Sequence, residues 1–86
     1  MDVFWSHHAK QMFAERAARL GINYAEIELE VKKQKIKLKE EMNKIKTIFK
    51  VGNSFLTAIK IEKESFIHVL TLWESNEKEA ELWKKK

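Results

Sequence analysis

The chain has no cysteine, no proline and only two glycines. Without cysteine there is no disulfide framework, no thiolate metal site and no cysteine nucleophile. A protein in a reducing compartment needs none of these, so that absence says little about location. Glycine occurs only at Gly21 and Gly52, where it punctuates rather than links. No flexible or Pro-rich linker divides the 86 residues, which read as one domain, 1–86. Long apolar runs are missing as well. The longest, FIHVLTLW at 66–73, is eight residues with a histidine inside it. A membrane helix needs about 20 predominantly apolar residues. The first residues have neither the basic nor the apolar region of a signal peptide. The expectation is a soluble, cytoplasmic protein without a membrane partner. There is no Gly-rich phosphate loop and no nucleophile elbow, and neither His7 nor His8 has a His, Asp or Glu partner at i, i+4. No metal and no cofactor are therefore expected.

Lysine is what the chain has in quantity. Lys and Arg total 17 against 13 Asp and Glu, for a net charge of +4, and the arginines are Arg16 and Arg19 alone. A basic balance favours an anionic partner such as RNA, DNA or an acidic protein. A solvated lysine surface would account for the same charge. Lysine and glutamate in excess, with few Asn and Gln, resemble a thermophile's composition. The lack of proline points the other way.

Alanine-rich sequence from Ser6 to about Leu20 predicts a first helix, with Ser6 as N-cap and Gly21 as stop. At 100° per residue Ala9, Met12, Phe13, Arg16, Ala17 and Leu20 share its inner face. A second helix opens at NYAE, where Asn23 and Glu26 have capping-box spacing, and Tyr24, Ile27 and Val31 form its stripe. The period then changes. KIKLK (35–39) and KIKTIFKV (44–51) alternate, and SFLTAIKI (54–61) and FIHVLTLW (66–73) have the composition of strands. Residues 51–53 and 63–64 are their turns. A last helix over roughly 76–85 carries Glu77 and Glu79 early and Lys84 to Lys86 late, in line with the helix dipole. One rival stays open. Ile27, Val31, Gln34, Leu38, Met42, Ile45 and Ile48 also fit a single helix over 24–48.

A three-residue turn between Lys50 and Ser54 would set Phe49 opposite Phe55, Thr47 opposite Thr57 and Ile45 opposite Ile59. The next hairpin would continue that face through Ile61 with Phe66, Ile59 with His68, Thr57 with Leu70 and Phe55 with Leu72. This set is expected beneath the two N-terminal helices. The opposite face would carry Lys44, Lys46, Lys50 and Lys60 as a basic edge, grading into Ile48, Leu56, Ile67, Val69 and Trp73. Such an apolar centre asks for cover. Either the last helix supplies it, with Ala80 and Trp83, or the face is a homodimer or partner interface. The lysines are the candidate nucleic-acid contacts.

With a short strand at 2–5 the order becomes β-α-α-β-β-β. His8-Ala9, ERAARLGI (15–22), YAEIELEV (24–31), IFKVGNSFLTAI (48–59) and FIHVLTLW (66–73) together resemble the RelE/ParE toxin superfamily. The likeness is greatest to small uncharacterised RelE-like proteins with a His-Ala motif on the first helix, and it covers residues 2–73. It implies an α+β fold: two N-terminal helices on a three- to four-stranded antiparallel sheet, with a short C-terminal helix following. It also implies a toxin–antitoxin context, RNA or the ribosome as target, and an antitoxin-like protein partner. ParE relatives target DNA gyrase instead. The last strand ends in Trp73 with no Tyr, His or Arg after it, so no catalytic residue carries over from the family.

RNA cleavage needs an acid–base group and a cation near the phosphorus. His8 and Arg16 are the candidates this chain offers. Each has a plainer reading. His8 would be a helix-start residue packed beside Trp5, and Arg16 a snorkelling or ion-paired side chain. His68 would be a core histidine bonded to backbone. Two functions follow: an RNA-interacting RelE-like protein, either a toxin-like or a decayed mRNA interferase, or a non-enzymatic module that self-associates or binds a protein through its sheet.

Overall fold

A computed structural model of the chain describes residues 2–33 and 35–86. Gln34, one position of the long-helix stripe, lies outside them. Strand β1 (Asp2–Trp5) passes through Ser6 into helix α1 (His7–Met12). Ser6 Oγ accepts the Ala9 N–H at 2.9 Å and donates to the Leu70 carbonyl at 2.8 Å. The N-cap thus also fastens the helix start to the sheet.

The first helix does not continue as α-helix to Leu20. Phe13–Ala17 wind as a π turn and Ala18–Leu20 as a 3₁₀ turn, stopped by Gly21 at φ +76°. A π turn takes up extra residue length, so later side chains leave the 100° pattern. Phe13 and Ala17, four apart, stay on the buried side. Arg16 and Leu20, assigned to that side by the helical wheel, are exposed.

Helix α2 (Tyr24–Lys33) opens on the expected capping box. Asn23 Oδ1 accepts the Glu26 N–H at 2.9 Å, and Glu26 Oε1 accepts the Asn23 N–H at 3.0 Å. The single helix over 24–48 is not formed, because Lys37–Lys39 leave as strand β2 and pair with β3 (Ile45–Val51). Their connection contains two left-handed residues, Met42 (φ 60°, ψ 40°) and Asn43 (φ 62°). Asparagine tolerates that region, whereas methionine sits there at a cost of about 1 kcal/mol. Met42 is 81% exposed, so little packing offsets the strain. Met42→Asn is expected to raise the unfolding free energy by about 0.5–1 kcal/mol, measured by urea titration at unchanged m-value.

Strands β4 (Ser54–Glu62) and β5 (Phe66–Glu74) and helix α3 (Glu77–Lys84) complete the chain. The fold is α+β, and the finer expectation needs correction. The sheet has five strands, not three or four, and is mixed, with order β1-β5-β4-β3-β2. β1 runs parallel to β5, and α1, which follows β1, packs across β5. The remaining pairs are antiparallel.

The hairpin register is also one residue off the expectation. Val51 pairs with Ser54 across a two-residue turn, so Phe49 faces Leu56, Thr47 faces Ala58 and Ile45 faces Lys60. Gly52 at φ +60° holds the first central place of that turn, which matches strand twist without a third residue. Between β4 and β5, Ala58 faces Leu72 and Ile61 faces His68, with Leu70 left as the extra residue of a bulge. A slip of one residue exchanges the faces of a strand. Leu56, Ala58, Ile67 and Val69 therefore lie with Phe49, Val51 and Leu72, and all join Ala9, Phe13, Ala17, Ile22, Ile27 and Val31 in the core beneath the N-terminal helices. His68, expected on that side, lies on the other. There α3 covers one end of the sheet: the Trp83 ring meets Phe55 edge-on at 5.4 Å, and the Trp73 indole N–H donates to Glu79 at 3.0 Å.

Candidate nucleic-acid interface

The α3 side of the sheet is organised by Glu79, which is 4% exposed. Asn76 and Glu79 form a full capping box: Asn76 Oδ1 accepts the Glu79 N–H at 2.8 Å, and Glu79 Oε1 accepts the Asn76 N–H at 2.9 Å. The same carboxylate receives the Trp73 indole N–H, and its other oxygen lies 2.8 Å from Lys46 Nζ. Burial pushes the carboxyl pKa up. The hydrogen bonds from Lys46, the Asn76 backbone and Trp73, together with the Lys46 charge, outweigh it and leave the group below its ordinary value. One residue thus ties α3 to both β3 and β5.

That docking sets Trp83 and Phe55, both half-buried, side by side among ammonium groups. Lys35 Nζ sits 3.5 Å from the Trp83 ring centroid. Lys50 Nζ lies 5.8 Å from Trp83 and 5.5 Å from Phe55, and Lys84 Nζ is also 5.5 Å from Phe55. Cations at these distances are drawn to the ring faces. The resulting surface alternates aromatic area and positive charge, gathered from the α2–β2 connection, the β3–β4 hairpin and α3.

Of the four expected nucleic-acid lysines, Lys50 alone belongs to this patch. Lys46 is committed to Glu79, with its Nζ 5.9 Å from the Trp73 centroid. Lys44 lies beyond the far end of β3, at the turn from β2. Lys60 is wholly buried and donates to the Val31 carbonyl at 2.6 Å and to Glu62 at 2.9 Å. It cannot meet a phosphate, because the register buries it on the side of the sheet beneath the N-terminal helices.

The expected interface set does not form a surface. Leu56, Ile67 and Val69 are core residues under α1 and α2, and Ile48 is buried on the α3 side. Trp73 is half-buried and bonded to Glu79. His8 and Arg16 are both exposed on the N-terminal helical segment, and no salt bridge among the described residues involves either. His8 does stand at the start of α1, exposed, and Arg16 does not lie in the apolar stripe. None of the three histidines lies in the Trp83 patch. Among the described residues, no three His, Asp or Glu side chains gather as metal ligands, and no helix is long and apolar enough to cross a membrane.

Lys35, Phe55, Trp83 and Lys84 escaped the sequence reading as a group. Their local signals are the run LWKKK and the phenylalanines flanking Lys50, in IFKVGNSF. Only the packing of α3 on the sheet brings these segments together. Comparisons with family models, with curated proteins and with solved structures find no match to this chain.

Proposed function

We propose that this chain binds single-stranded RNA, with bases stacking at Trp83 and Phe55 in exchange for the lysines that lie over those rings, and phosphates held by the same Lys35, Lys50 and Lys84. The observation that carries the reading is the pair of half-buried rings with three ammonium groups within 6 Å of their centroids. Aromatic rings accept any base by its π-face, at about 1–3 kcal/mol per base, and lysines follow the backbone. A rigid duplex keeps its bases stacked on one another and would use only the charges. The resemblance of residues 2–73 to RelE-like proteins favours RNA over DNA. The reading is one of binding: the rings and ammonium groups of the patch supply stacking area and positive charge.

The test is titration of a fluorescein-labelled 12-nucleotide RNA across a salt series. Trp83→Ala is expected to weaken binding about 5- to 100-fold. Changing Lys35, Lys50 and Lys84 together to Ala should reduce the slope of log K against log salt by about two, near 0.7 per phosphate contact. The lysine variant leaves both rings in place, so it reports on binding even if Trp83→Ala loosens α3. An unchanged salt slope in that variant sinks the reading.

A further inference from the structure

The two edges of the sheet are built differently. β2, at one end, reads Lys37-Leu38-Lys39, and lysine on an edge strand deters a second strand. β1, at the other end, reads Asp2-Val3-Phe4-Trp5 and pairs with β5 in unbroken register. It has no lysine, proline or bulge, and Phe4 is 53% exposed. Phe4 meets Phe66 edge-on at 5.3 Å. With His68 and Ile61, both half-buried and in register across β5 and β4, these rings lie on the same face as Trp73 and Phe55, towards the other end of β4 and β5.

We propose that two copies of this chain associate by pairing their β1 strands antiparallel, with Phe4 opposite the second copy's Phe4. The alternation of backbone groups selects this arrangement. The Ser6 N–H donates inward to the Val69 carbonyl. In a strand, successive residues turn their N–H and C=O to opposite edges, so Val3 and Trp5 present theirs outward. Continuity of the two sheet faces limits pairing to residues of like parity, and one such register sets Phe4 against Phe4 and Val3 against Trp5. In that register both outward residues are used, and the two-fold axis repeats the Val3–Trp5 bonds on its other side. The contact is isologous, and a second copy satisfies it without a further sequence requirement. Charge agrees. Asp2 is the one charged residue of β1, and antiparallel pairing sends the two Asp2 side chains to opposite ends. Parallel pairing would set them together. Four residues of edge bury little area, so the dimer is expected to be weak, with Kd on the order of 10–100 μM.

The lack of cysteine gives a direct test. Opposed residues of a non-hydrogen-bonded antiparallel pair have Cα atoms about 4.5 Å apart, within disulfide range. At ~100 μM protein under mild oxidant, Phe4→Cys is expected to form a disulfide-linked dimer about tenfold faster than Leu29→Cys, a control on exposed α2 surface. Adding Val3→Pro removes an outward N–H and no β1–β5 bond, and is expected to abolish the advantage. Sedimentation of the unaltered chain should show its mass rising from 10.2 kDa towards twice that across the same concentrations. Equal cross-linking at positions 4 and 29, cross-linking that survives Val3→Pro, or a monomer throughout would each overturn the proposal.

Discussion

Lys60→Ala is expected to lower the unfolding free energy by about 3 kcal/mol, the usual scale for breaking a buried, bonded ion pair. The Lys60 side chain has no exposure. Its ammonium reaches the Val31 carbonyl in the last turn of α2, where carbonyls lack helical partners, and cations suit the dipole. It also meets Glu62, which Lys37 approaches at 2.7 Å. Burial pushes the Glu62 pKa up, but the hydrogen bonds and charges of Lys37 and Lys60 more than reverse it. Alanine removes the packed methylenes, takes the Lys60 donor from the Val31 carbonyl, and takes the Lys60 cation from Glu62. For a domain of this size the loss corresponds to a fall in Tm of roughly 15 °C. Lys60→Met keeps the bulk and is expected to cost about half as much. Thermal melts of both variants separate packing from hydrogen bonding. An alanine variant within 1 °C of the parent would show that the buried ammonium contributes little.

Glu79→Ala should cost about 2–3 kcal/mol, since it removes half of a capping box together with a buried acceptor for Trp73 and Lys46. Near-ultraviolet and tryptophan fluorescence spectra should change along with stability, because Trp73 and Trp83 lose their setting. The proposed RNA binding should weaken as well, since the docking of α3 sets Trp83 at the patch. The carboxyl makes this contact pH-dependent. Folding lowers its pKa, so the stabilisation is complete above the unfolded value of 4.5 and is lost as pH falls through the folded value. Glu62 acts in the same direction. Urea unfolding at pH 7, 4 and 3 should show a smaller acid loss in Glu79→Gln than in the parent. Equal losses would mean that another group governs acid unfolding.

Features written in neighbouring residues were legible in the sequence. Ser6, Asn23 and Glu26 cap as their spacing says, and α3 begins where Asn76 can close on Glu79. Registers were not legible, and the cause is the double cover of the sheet. Helices lie on both faces, so Phe49 and Val51 on one side and Ile48 and Phe55 on the other are all apolar. Alternation then cannot choose between faces, and the length of the Gly52 turn decides. Lys60 misled for the same reason. A lysine in an alternating strand looks solvated unless its buried carbonyl and carboxylate partners are known. Arg16 misled because a helical wheel assumes α winding, and the π turn over Phe13–Ala17 breaks that assumption.

The contrast between the two sheet edges has a consequence for how far assembly can go. A chain with two receptive edges adds copies without limit and grows into a fibre. Here a ten-stranded sheet joined through β1 would terminate on both sides in β2, with Lys37 and Lys39 at each rim. A third copy would find only lysine-bearing edges. Growth would stop at two, and the lysines of β2 would act as the chain's protection against polymerisation.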